Sequence, residues 1–387
     1  MTLHQSLQES YCSSSTPILL ETVLQLLVEQ LNKLSRSGFF SKELHDYIDE
    51  LRSGIDTLQL KLATEPQDSS SLAGTTEVVA SIWRASQFLT GTTSNRVPYE
   101  ITYLLSEVLL EWELGDSIVT TSLNQSPDFY CEKADSAPEF LMQELNLPNL
   151  VSRGHLVQMG VPEIFQHMPL LCTPLYHEVG HYIEERTKLV IDFITRRYDD
   201  VEKALPDINL FNHDRRNVVR DHTIEHFCDL VAASYVGECV SDYIIQWDHQ
   251  QVPHASHPSA SSRARVTRDF LTGTQNDLVD LLKEAVEKSG LNVELAPRFV
   301  LPDVNASFAD VRPVEVNSID ELHGLLAAGD AFLKKLIASP DAFESTNIAH
   351  VPRREHAHLI NDLIEKSIRS YMIKRAWNES LDKKTDS

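Results

Sequence analysis

Apolar residues recur every three or four positions over much of the chain, which is the period of an amphipathic helix. Leu20, Leu24, Leu27, Leu31 and Leu34 form one such seam, and after SRSGFFS the residues Leu44, Ile48, Leu51, Ile55, Leu58 and Leu62 form a second. Two seams joined by a short Gly-containing turn predict an antiparallel helical hairpin over residues 17–63. Thr16 is its expected N-cap, Pro17 its first helical residue, and Ser41 the cap of the second helix. The seams read as intramolecular core; the other reading is a docking stripe for a protein partner. TEPQDSSSLAGTT, residues 64–76, reads as a linker.

Helical patterns return at 77–89 and 98–113. DSIVTTSLNQSPDFYC, residues 116–131, leans to β and predicts one or two short strands. Ser318-Ile-Asp-Glu321 is a capping box that opens a helix running to about Ile337, and Arg353 to about Glu379 has the spacing of another. No repeat of 20 to 50 residues is visible, which disfavours a solenoid. The expected fold class is α+β, mainly α. Its expected division is a helical region 1–115, a core 116–300 and a helical region 301–387.

Composition narrows the function. The 387 residues are 42% hydrophobic and 24% charged, too apolar for a disordered chain. The 34 basic against 57 acidic side chains give a formal charge of -23, which repels phosphate backbones and anionic membranes, so no nucleic-acid partner is expected. Five cysteines without a C-x-x-C pair argue against a disulfide framework. The chain has no run of 18 apolar residues, and its first residues do not read as a signal peptide. The expectation is a cytoplasmic protein with no membrane span.

The chemistry concentrates between Val161 and Val266. His177-Glu178-Val179-Gly180-His181 is an H-E-x-x-H motif in a helical segment. Residues four apart share a helix face, so both imidazoles can reach one metal ion, while Glu178 is turned about 100° away, towards a water. Zinc suits such ligands, since it accepts neutral imidazole and leaves a fourth position open when the protein gives three. Downstream, Glu225 and Asp229 form E-x-x-x-D in a second helical segment. Glu225 can serve as third ligand and Asp229 can accept the free ring N–H of His177. His257-Pro258 follows, with Arg263 six positions after the histidine.

H-E-x-x-H, E-x-x-x-D and S-H-P-x-x-x-x-R together resemble the gluzincin metallopeptidases, most closely the branch of CAAX prenyl proteases and bacterial heat-shock membrane proteases. The resemblance covers about a hundred residues. Ala264 stands where that branch usually has an aliphatic residue, and the membrane helices of those relatives have no counterpart. It implies a soluble zincin-like core, hydrolysis of a protein or peptide substrate, and contact of His257 and Arg263 with the substrate carbonyl. A rival motif overlaps it: His222-Thr-Ile-Glu225-His226 is the inverted order H-x-x-E-H. Choosing it leaves His177, His181, Asp229 and the later His–Arg pair without a task.

The sequence thus predicts a zinc metallopeptidase with ligands His177, His181 and Glu225 and with Glu178 as general base. His257 is the expected oxyanion donor, Tyr235 and Tyr243 the weaker candidates, and the β-leaning stretch the expected edge strand for substrate pairing. Cys172 and Cys228, close in sequence to the motif, read as small buried packing residues, the other reading being extra ligands or reactive thiols; His249 and His254 read as solvated loop histidines, and Gly180 as a close-packing position. The alternatives are a zinc-binding regulatory or interaction protein without peptidase activity, and a helical interaction protein whose motif is accidental.

Overall fold

The computed structural model describes residues 3–38, 42–64, 69–92, 99–134, 139–145, 155–211, 214–247 and 252–385. The chain is mainly helical with one three-stranded sheet, and it divides into two compact units.

The first unit comprises Met1–Tyr99, Gly115–Leu123 and Glu132–Gly160. It contains the helices α1 (Leu3–Leu34), α2 (Lys42–Thr64), α3 (Ser69–Gly91) and α5 (Glu139–Glu144). The predicted seams meet: Leu24, Leu31, Leu44, Ile48, Ile55 and Leu58 are fully buried in one cluster that α3 completes with Val78, Ile82 and Leu89. Since all of this surface is already covered within the unit, the seams form its core. Two local expectations change. Residues 16–17 lie inside α1, which starts at Leu3, and Ser69–Thr76 of the expected linker belong to α3. Their polar composition is tolerated because Thr75 and Thr76 return their hydroxyls to the Ser71 and Leu72 carbonyls. Ser41 lies outside the described residues.

The β-leaning stretch supplies β1 (Ile118–Asn124) and β2 (Tyr130–Lys133). A third strand, β3 (Leu156–Pro162), is buried at every position and sits between them in the order β1-β3-β2, so β1 is indeed an edge. Short buried runs of this kind show no alternation, and HLVQMGVP gave no strand signal.

The second unit comprises Glu100–Leu114, Asn124–Cys131 and Val161–Ser387. After α4 (Tyr99–Glu111) it contains α6 (Pro174–Thr187), α7 (Leu189–Ala204), α8 (Arg215–Val236), α9 (Cys239–Trp247) and α10 (Ala260–Thr272). It continues with α11 (Asp277–Lys288), α12 (Asn305–Ala309), α13 (Ile319–Ala338) and α14 (His356–Thr385). Residues 301–387 thus share one unit with 161–300. Helix α8 is its centre: from Glu225 to Val236 every residue is buried, and α6, α7, α9, α10 and α13 all pack on it. Ser318 caps α13 by accepting from the Glu321 N–H, as the capping box predicts. Among the described residues no helix is long and apolar enough to cross a membrane.

Beneath α6 the unit buries a polar network. Tyr235 donates to Glu111 at 2.7 Å and receives the Trp112 indole N–H at 3.1 Å, while the Tyr176 hydroxyl meets His323 Nδ1 at 3.2 Å. His323 is 1% exposed, and burial pushes its pKa from 6.5 down to about 3. Between these values the unfolded chain binds a proton that the folded one refuses. The stability His323 contributes is therefore present above about pH 6.5 and is lost as pH falls towards 3. His323→Gln, which keeps an acceptor for Tyr176, is expected to flatten the acid-side loss of stability by about 1.4 kcal/mol per pH unit between about pH 6 and 4. Urea titrations at several pH values measure this, and an unchanged slope would place the proton uptake elsewhere.

Candidate metal centre

The site is built on two helices that approach more closely than ordinary side chains allow. An added Cβ at Gly180 would lie 2.7 Å from the Cα of Cys228, so α6 can rest on α8 only with glycine there. Pro174 opens α6 at its first position, where no N–H is needed. The Thr173 hydroxyl turns back to the Leu170 carbonyl and makes no cap.

On this contact the predicted residues converge. His177 and His181 share a face of α6 with their Nε2 atoms 3.1 Å apart. Glu225 of α8 reaches both: Oε2 is 3.3 Å from His177 Nε2, and Oε1 is 3.3 Å from His181 Nε2. One turn on, Asp229 Oδ1 accepts from His177 Nδ1 at 2.9 Å, which turns Nε2 of that ring towards Glu225 and His181. Cys228, set aside from the sequence as a packing residue, also belongs here. Its Sγ and the ring nitrogens of His177 and His181 lie within 4.8 Å of one another, and this group could hold a metal ion. Its position three residues after Glu225 places it on the same helix face, a signal the sequence did contain.

Arg263 stands beside the carboxylates. Its guanidinium grips Asp229 with two hydrogen bonds, Nε to Oδ2 at 2.8 Å and Nη2 to Oδ1 at 2.7 Å, and Nη2 lies 3.5 Å from Glu225 Oε2. The side chain also borders the cleft. His257 does stand at the cleft: it is part-exposed and its Nε2 is 3.5 Å from Glu225 Oε1.

The buried charges at the site are paired with one another. Burial alone would raise the Asp229 carboxyl, yet Arg263 and His177 outweigh it and hold it well below the carboxylate range. Burial likewise opposes the Glu225 charge, and the two histidines with Arg263 overcome it, holding this carboxyl low as well. Burial would lower His177, but Asp229 and Glu225 pull it up to about 10. Two buried carboxylates thus face two positive groups, the Arg263 guanidinium and the His177 ring. Glu225 Oε2 is buried without a hydrogen bond among the described residues and is held by ion-pair contacts, 3.3 Å to His177 Nε2 and 3.5 Å to Arg263 Nη2.

The cleft above these groups has a volume of about 410 Å³. Glu178 borders it, as do Phe129, Val240, Tyr243 and Ile244, an apolar wall that no motif announced. Phe129 and Tyr243 meet edge to face, 6.0 Å between centroids. Tyr235, a candidate oxyanion donor from the sequence, is fully buried in the Glu111–Trp112 network and does not border the cleft.

The inverted motif comes apart. His222 turns its Nε2 to the His254 carbonyl at 2.7 Å, and both ring nitrogens of the fully buried His226 lack a partner among the described residues. Burial lowers the pKa of both, His226 to about 4. Cys172 is buried as expected, with its thiol on the Phe165 carbonyl. His249 lies outside the described residues.

Comparison of the chain with protein-family models, with curated proteins and with solved structures gives no match.

Because the donors converge only in the folded chain, zinc is expected to stabilise it by about 2.7 kcal/mol at a hundredfold excess over the dissociation constant. The His177→Ala/His181→Ala double variant is expected to lose this gain in a thermal-shift titration. An equal gain in both proteins would locate the bound ion elsewhere.

Proposed function

We infer that the chain is a zinc-dependent peptidase, and the observation that carries this reading is the convergence of His177, His181 and Glu225 beside an uncommitted Glu178. Donors held tetrahedrally at 2.0–2.1 Å from zinc lie about 3.3 Å from one another. The two Nε2 atoms stand 3.1 Å apart, close to that requirement, and each has one oxygen of Glu225 at 3.3 Å, Oε2 on His177 and Oε1 on His181. The bond from His177 Nδ1 to Asp229 fits it too, since it turns Nε2 towards Glu225 and His181.

Bound there, zinc would act as a Lewis acid on the scissile carbonyl and make water a better nucleophile at neutral pH. The remaining work falls to the chain. Glu178, next to a ligand but outside the trio, accepts a proton from the water as its oxygen bonds to the carbonyl carbon. It then delivers that proton to the amine nitrogen as the C–N bond breaks. His257 faces the same cleft. The Ser256 hydroxyl, 2.8 Å from Nδ1, orients the ring, and an Nε2–H would donate to the developing oxyanion. Arg263 acts through Asp229, keeping it charged and aimed at His177, and the apolar wall offers a place for a large substrate side chain.

A second reading has one observation in its favour: Cys228 makes a His–His–Cys group, the composition of a closed structural site in a regulatory protein. Its thiol must ionise to bind, and burial and the neighbouring Glu225 and Asp229 oppose that. A general base has no task in a structural site.

Glu178→Gln is expected to keep zinc affinity and lower peptide cleavage by at least about 100-fold, measured on a peptide library; full activity with zinc bound would assign the base elsewhere. Glu225→Ala is expected to lose zinc and Cys228→Ala to retain it. The reverse pattern, read by elemental analysis, would favour the structural site.

A further inference from the structure

The loop that carries His257 is pegged at both ends. On its downstream side, Ser259 caps α10 and donates to Asp207 Oδ2 at 2.9 Å, with Ser262 on the same oxygen at 2.5 Å. On its upstream side, His222 Nε2 donates to the His254 carbonyl at 2.7 Å. Between the pegs the loop closes on itself: the His254 N–H donates to the His257 carbonyl at 2.8 Å, and Ser256 bridges the rings of His254 and His257. His222 is fully buried, its ring held edge to face by Phe211 at 5.4 Å, so the donor is fixed in direction.

We propose that His222 is a positioning residue, which holds the His254–His257 loop so that His257 Nε2 stands over Glu225. This rests on the peptidase reading for its catalytic consequence, but not for its geometry. His222 and Glu225 are three residues apart on the rigid helix α8. One element thus supplies both the ligand and the peg that sets the loop's height above it. Neutral imidazole suits the peg, since Nε2–H is a donor of fixed direction and burial keeps the ring uncharged. The assignment also accounts for the first histidine of the inverted motif without making it a ligand.

Hydrogen exchange on the zinc-loaded chain tests the peg without any substrate. Replacing one hydrogen bond by nothing is worth roughly a tenfold change in a local opening equilibrium. The His254 amide is therefore expected to exchange about ten times faster in His222→Phe, and within about threefold of wild type in His222→Gln, whose side-chain amide can donate in the same place. Zinc content is expected to be unchanged in both. In the wild type, imidazole nitrogen spectra are expected to put the His222 proton on Nε2, a readout that stands even if a variant does not fold. For cleavage, His222→Phe is expected to lower kcat without raising KM, and to lower it no further when His257→Ala is already present. Equal exchange in His222→Phe and wild type, equal acceleration in the Phe and Gln variants, a proton on Nδ1, or loss of zinc would each overturn the proposal. Absence of cleavage in the wild type, with the exchange pattern as expected, would count against the peptidase reading and leave the peg in place.

Discussion

Asp229 is a charged carboxylate with no exposure to solvent, and the arrangement of the second unit answers to that. A buried charge is tolerated only when it is paired and fully hydrogen-bonded. Arg263 supplies a two-point ion pair from α10, and His177 supplies a third bond from α6. These bonds tie three helices together at one point. They also orient the His177 ring, so that Nε2 faces Glu225 and His181.

The same point requires the two long helices to touch. Gly180 gives the room, and Cys228 is what it gives room to. The sulfur therefore arrives near the imidazoles as a consequence of the backbone approach that brings Glu225 into range. The thiol that could share a metal ion with the two imidazoles is thus placed by the same backbone contact. His257 comes from a separate loop, held by His222 and Asp207, and borders the same cleft.

The sequence made the leucine seams of α1 and α2 legible because each face is periodic and apolar. It made His177, His181, Glu225 and Asp229 legible because helical spacing alone puts each pair on one face. Strand β3 was not legible, since its burial on both faces leaves no alternation to read. The start of α3 was hidden by serines and threonines whose hydroxyls fold back on their own helix. Arg263 was legible as a neighbour of the site, but its two hydrogen bonds to Asp229 were not, because spacing gives proximity and not the partner. The wall of Phe129, Val240, Tyr243 and Ile244 comes from separated segments whose meeting no local pattern encodes.

The central claim is that two imidazoles and a carboxylate, and no sulfur, hold the ion. X-ray absorption at the zinc edge of the loaded chain tests it directly. The account predicts nitrogen and oxygen neighbours at about 2.0–2.1 Å, with the multiple scattering of two imidazoles and no sulfur shell. A zinc–sulfur distance near 2.3 Å, or a spectrum with no imidazole scattering, would contradict it.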